Sequence, residues 1–258
     1  MALTIQNRQR QGGMLFSDTM VTASPRKMVK SSRRSAAAPS PHLEQGDRLT
    51  AAEFLRRFQA MPQIKKAELI NGIVYMPSPV RIQQHGIPDN LIQGWLLYYA
   101  ANTPGTQAAA NTTVRFDADN VPQPDALLMI EHASGGQSRI GADGYLHGAP
   151  ELVVEIAASS ATIDLHDKLH AYRRAGVKEY FVWRTTDKAC DWFTLEDDRY
   201  LPVKSDRDGI IHSQIFPGLS LDVNALLTQD AAALLAKLGK TLHKAAHKAF
   251  VTKLAKAR

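Results

Sequence analysis

The run Leu152-Val153-Val154-Glu155-Ile156-Ala157 constrains this chain more than any other segment. It is short, apolar and rich in β-branched side chains, which reads as a strand. In a half-solvated sheet Leu152 and Val154 would face the core, while Val153, Glu155 and Ala157 would face water. Val153 weakens that pattern, and an edge strand is the other way to keep Glu155 wet. Failing both, the carboxylate is buried, which is costly unless it is paired or holds a metal.

The remaining segments supply partners for such a strand. Thr50 with Glu53 forms a capping-box pattern before a helix carrying Phe54, Leu55 and Phe58, which stops before Pro62. Asn71-Gly72 between apolar runs predicts a hairpin. Helical spacing follows from about Gln84 to Ala100, then a strand over 107–116 and another over Ala126–Ile130. A helix over about 163–175 ends at Gly176, and Tyr180–Trp183 reads as a buried strand. Further strands are expected at 189–195, 199–203 and 210–216. Together these predict one α/β domain over about 48–228. One amphipathic helix is expected over 229–258, striped by Leu234, Leu235, Leu238, Leu242, Ala246, Ala249 and Phe250 and docked on the core or on a second copy.

Charge is uneven. Residues 1–47 carry seven Lys/Arg against Asp18, Glu44 and Asp47, and residues 229–258 carry seven against Asp230 alone. The total is only +6, so the basic character lies in the two ends and the middle is mildly acidic. A flexible basic arm at 1–47 and a basic C-terminal helix suit contact with a polyanion as well as they suit plain solvation. Cys190 is the only cysteine, which excludes an intramolecular disulfide and a cysteine-built zinc cluster and fits the cytoplasm. No stretch approaches the roughly 18 apolar residues of a membrane helix, and the first 20 residues lack a secretory apolar core.

Three residues suggest chemistry. Asp125 follows Pro124 at the mouth of the Ala126–Ile130 strand, Glu155 lies inside its own strand, and Lys168 sits on the next helix beside the stripe Leu165, Leu169 and Tyr172. Two carboxylates from neighbouring strand ends can hold a hard divalent cation. Such a cation polarises a phosphodiester and lowers the pKa of bound water, and an ammonium nearby steadies charge developing on phosphorus.

These pieces resemble a restriction-endonuclease-like family within the PD-(D/E)XK nuclease superfamily. The likeness runs through Glu68-Leu69-Ile70-Asn71-Gly72-Ile73-Val74-Tyr75-Met76, Pro77-Ser78-Pro79 and His85. It continues through Val121-Pro122-Gln123-Pro124-Asp125, Ala149-Pro150-Glu151-Leu152-Val153-Val154-Glu155-Ile156, and Asp164, Lys168, Tyr172 and Ala175-Gly176-Val177-Lys178-Glu179-Tyr180. It spans about 50–225 and implies a mixed central β-sheet flanked by helices. Asp125 and Glu155 would be the metal ligands for Mg²⁺ or Mn²⁺, Lys168 the catalytic ammonium, and Glu68 a further acidic contributor. In the wider superfamily the lysine lies two residues after the glutamate, where this chain has Ala157; the smaller family moves it to the following helix, hence Lys168. The stretch Ala157-Ala158-Ser159-Ser160 also lacks the proline common after the glutamate.

The function expected is therefore a metal-dependent endonuclease acting on nucleic acid, DNA by preference. A homodimer would suit duplex cleavage. The alternatives are an inactive nucleic-acid-binding module of the same fold, and a structural, self-associating protein with an ordinary Glu155–Lys168 ion pair. Asp164 reads as a helix N-cap, His85 as a cap or packing residue, Tyr172 and Trp183 as core, and Glu179 as part of a turn. His166 and His170 are four apart but lack a third zinc ligand.

Overall fold

The computed structural model describes residues 42–77 and 79–258. Most of the basic arm expected over 1–47 therefore lies outside the described residues, as does Ser78. Helix Ala51–Gln59 starts at Thr50, whose hydroxyl accepts from the Glu53 amide. Only half the capping box forms, because the Glu53 carboxylate is drawn to Arg56 and Arg57, at 2.7 Å each. Strands β1 (Glu68–Ile70) and β2 (Ile73–Tyr75) make the predicted hairpin. Asn71 and Gly72 both take positive φ, as its tight turn requires.

Helix Ile87–Ala101 leads to β3 (Thr106–Ala110) and β4 (Val114–Arg115). The single strand expected over 107–116 is thus two, because Asn111 turns left-handed at φ 50°. Next come β5 (Ala126–Ile130), β6 (Arg139–Ile140), β7 (Leu146–His147), β8 (Leu152–Ala157) and β9 (Glu179–Arg184). Then follow β10 (Ala189–Glu196), β11 (Arg199–Pro202), β12 (Ile210–His212) and β13 (Ser220–Asp222).

Six strands form the central sheet, in the order β11-β10-β9-β8-β5-β3. Within this sheet β8 and β9 alone are parallel neighbours, and the helical stretch 161–175 supplies the crossover they need. Strand alternation then sorts side chains between two covered faces. On the first, Leu152, Val154, Ile156, Phe181 and Trp183 pack with Trp95 and Tyr99 of helix Ile87–Ala101. On the second, Val153, Ala157, Tyr180 and Val182 pack under Tyr172, Leu165 and Leu169. Every residue of β8 is buried and the strand is internal, so Glu155 is neither at an edge nor on a wet face. The result is a mixed sheet flanked by helices, the restriction-endonuclease-like fold class expected.

The C-terminal stretch differs from expectation. It forms two helices, Ala231–Leu242 and Ala245–Ala257, with an extended Lys244 between them. His247 explains the break: its ring bonds the Leu242 carbonyl at 2.8 Å and the Thr103 hydroxyl at 2.9 Å. The second helix is thereby rephased. Ala246 and Ala249 are exposed, whereas His247, Phe250 and Leu254 are buried. Leu234, Leu238, Leu242, Phe250 and Leu254 all join the core of the first face. Among the described residues no helix is long and apolar enough to cross a membrane.

Candidate active site

The sheet register brings the two central acids together. Ala126 pairs with Val154 in an antiparallel ladder, so Asp125, one residue earlier, lies opposite Glu155 on the second face. An isolated bridge between Leu69 and Val121 sets the hairpin beside the chain leading into Asp125. Glu68 is fixed there by the Gln123 amide, which donates to its Oε1 at 2.8 Å. The crossover helix brings the cation. Residues Asp164–Lys168 form a π-helical turn, a local widening common at functional sites, and both of its ends are buried.

Lys168 is the hub. Its Nζ lies 2.8 Å from Glu68 Oε2, 3.1 Å from Glu155 Oε1 and 3.5 Å from Asp164 Oδ1. Glu155 Oε1 also accepts from the Tyr172 hydroxyl at 2.6 Å. Asp125 has different company. Its Oδ1 meets Lys66 Nζ at 2.6 Å, while Oδ2 takes the Ile156 amide at 2.8 Å and lies 3.4 Å from His85 Nε2. His85 is delivered by a second π-helical turn, Ile82–Gly86.

Four buried acids, Glu68, Asp125, Glu155 and Asp164, thus share two ammonium groups. Burial would raise the Asp125 carboxyl, but the His85 bond and the Lys66 and Lys168 charges hold it well below the usual carboxylate range. Burial pushes Glu155 well up; Lys168 opposes this, and Asp125, Asp164 and Glu68 reinforce it. Asp164 is also raised by burial, against the pull of Lys168 and the Ser160 hydroxyl. Burial would strip Lys168 of its proton, yet the surrounding carboxylates overcome it and lift its pKa well above the ordinary lysine value. His85 is raised chiefly by its bond to Asp125.

Asp125, Glu155, Lys168 and Glu68, all singled out in the sequence, therefore lie in one cluster. Several expectations need correcting. Asp164 is not a helix cap: it lies inside the helical stretch, buried, facing Lys168 and accepting from Ser160. Tyr172 is core on its ring and polar at its hydroxyl. Glu179 shapes no turn but is buried at the start of β9, accepting from the Ser213 hydroxyl and the Gln214 amide. His85 reaches Asp125, whereas His166 and His170 are exposed. Lys66 was missed altogether. Its signal was there: it stands two residues before Glu68, the spacing that returns a side chain to the same side of an extended chain.

Among the described residues no group of three or more His, Cys, Asp or Glu side chains is disposed to hold a metal ion. The donor chemistry nevertheless fits a divalent cation. Asp125 and Glu155 offer hard oxygens, the acids outnumber the ammonium groups, and a lysine ammonium already rests against Asp125. Nearby, Asp89 Oδ1 is buried without a hydrogen-bond partner; burial raises its carboxyl, a hydrogen bond from Gln93 opposes the rise, Asp125 adds to it, and His85 and Lys66 counter it.

Comparison with known proteins agrees with the fold. A crystal structure described as a putative nuclease belonging to DUF820 from Anabaena variabilis superposes with a TM-score of 0.52 at 14% identity, covering 67% of this chain and 97% of that one. No curated protein matches. The family named Uma2, described as "Putative restriction endonuclease", matches residues 51–224, a span that contains Glu68, Asp125, Glu155 and Lys168. The chain belongs to the Uma2 family.

Proposed function

We propose that this protein is a metal-dependent nuclease that hydrolyses phosphodiester bonds of DNA with Mg²⁺ or Mn²⁺, acting in the cytoplasm. The observation that carries the reading is the Lys168 ammonium, buried within reach of Glu155 and Glu68 on the same sheet face as Asp125. A plain structural ion pair needs one acid for one lysine; here the acids are in excess, and a cation would balance them.

Asp125 and Glu155 would hold the metal, which supplies Lewis-acid polarisation of the phosphodiester and a bound water of lowered pKa. The bonds from Lys168 and Tyr172 to Glu155 both fall on Oε1, so they orient the carboxylate and leave Oε2 for the cation. The Ile156 amide and His85 orient Asp125 through Oδ2, while Lys66 rests on Oδ1. Lys168, held by three carboxylates and kept charged by them, is a fixed positive group for the charge that builds on phosphorus. Glu68 steadies Lys168 from the hairpin side. Two copies would act on the two strands of a duplex.

The test is plasmid nicking with Mg²⁺, Mn²⁺ or EDTA, for the natural protein and Asp125→Asn. Metal-dependent nicking lost in the variant is the expected result. Unchanged nicking in Asp125→Asn would sink the assignment. Salt-dependent DNA binding with no cutting under any condition would replace it with the inactive binding module.

A further inference from the structure

The two lysines of the cluster are held in different ways. Lys168 has three carboxylate partners and a side chain only 7% exposed, so it has no room and no reason to leave. Lys66 has one ion-pair partner, Asp125, and its side chain is 23% exposed. It extends from the chain just before β1, with an open side toward solvent. Its ammonium occupies Asp125 Oδ1, while Oδ2 is taken by the Ile156 amide and His85. Asp125 in this arrangement has a partner on each oxygen, and the one on Oδ1 is positively charged. A cation that binds Oδ1 is repelled by the Lys66 ammonium there, and the repulsion is relieved when Lys66 moves away.

Asp89 offers somewhere for Lys66 to go. It lies on the first turn of helix Ile87–Ala101, and its Oδ1 is buried and unpartnered. Asp89 stands four residues after His85, which itself lies 3.4 Å from Asp125, so it borders the Lys66 side of the cluster, and the Lys66 charge acts on it. A buried acceptor without a donor is costly, so a position that supplies one is a ready second resting place. The exchange leaves no carboxylate unpaired: the entering divalent cation brings two positive charges to Asp125 and Glu155, and the ammonium it displaces neutralises Asp89.

We propose that Lys66 is a displaceable internal counter-ion, which occupies the metal side of Asp125 in the metal-free protein and moves to Asp89 when a divalent cation binds. This rests on the metal-binding reading given above and adds to it how the site is regulated. Lys66 holds the acid pair together when no metal is present and sets the metal concentration at which the site loads. It is a positioning residue and not a catalytic one.

The experiment is calorimetric titration of Mn²⁺ into the full chain, as the natural protein, Lys66→Gln, Asp89→Asn and Asp125→Asn, with melting temperatures measured with and without Mn²⁺. A competitor that fills the site most of the time weakens apparent affinity by the fraction it occupies, so Lys66→Gln should bind Mn²⁺ about tenfold more tightly. The same variant should melt lower than the natural protein without metal and gain more from Mn²⁺. Asp89→Asn, which removes the second resting place, should bind more weakly. It keeps the test open should Lys66→Gln fold poorly, since unchanged Mn²⁺ affinity in Asp89→Asn would also overturn the exchange. Equal or weaker affinity in Lys66→Gln, with the natural protein binding, overturns the role of Lys66 and leaves the metal site standing. Absence of Mn²⁺ binding in the natural protein overturns the metal site and this inference together.

Discussion

The two faces of the central sheet are built from the same strands and solve opposite problems. On the first, Trp95, Trp192, Phe181 and Phe216 interlock with leucines from four helices, and cohesion is a matter of area and shape. On the second, β8 and the edge of β5 turn Glu155 and Asp125 into a buried ionic cluster, with aromatic rings only to its side. A sheet buried on both faces gives the site low dielectric and fixed geometry. The dry face supplies the stability that the charged one consumes.

Substitutions should separate the two. Trp95 is fully buried, sits edge-on to Trp192 and donates its indole N–H to the Ser220 carbonyl at 3.0 Å. Trp95→Ala should cost about 3–5 kcal/mol in urea unfolding, at every pH alike. Lys168→Met leaves Glu68, Glu155 and Asp164 facing one another and should cost up to about 3–5 kcal/mol near neutral pH. Unlike the tryptophan variant it should recover as pH falls and the acids take up protons. A loss that is independent of pH would erase the distinction between the faces.

The pH profile of the metal-free protein sharpens the contrast further. Glu155 is raised in the fold, so its contribution is complete below its ordinary value of 4.5 and is lost as pH rises through the raised one. Burial raises Glu179 too, to about 7, and Asp164, and both act in the same direction. Stability should therefore fall as pH rises from 5 upwards, and Glu155→Gln should make that fall shallower. An unchanged slope would show that Glu155 is not the proton carrier. Smaller still, Tyr172→Phe removes one bond to a carboxylate and should cost about 1.5–3 kcal/mol, read by the same unfolding curves. Smallest, Thr50→Ala at the distant helix cap should cost about 1 kcal/mol and leave metal binding untouched.

How much was legible follows the same division. Elements set by local rules could be read: the Asn71-Gly72 hairpin, the Gly176 helix end and the buried strand around Glu155. Elements set by tertiary contact could not. Nothing in the composition around His243 and Lys244 breaks a helix; the break comes from His247 reaching across to Thr103 and back to Leu242. Within the site, Asp125, Glu155, Glu68 and Lys168 stood out because an acid in an apolar strand or a lysine beside a buried stripe needs a reason. Lys66 lies in a polar stretch where a lysine needs none; its spacing from Glu68 was readable, but only the bridge between Leu69 and Val121 brings it to Asp125. Asp164 was misread because an aspartate near a helix start caps it far more often than it enters it.

The π-helical turn at 164–168 has a consequence for how chains of this kind can change length. Lys168 stands thirteen positions after Glu155, and its aim depends on the angular phase accumulated through that wide turn. An inserted or deleted residue there rotates everything downstream by about 100° around the helix axis. Such a change would swing Lys168 out from among its acids and turn Tyr172 away from Glu155, even if the helix kept its full hydrogen bonding. A surface loop that gains or loses a residue causes no such rotation; this segment is counted.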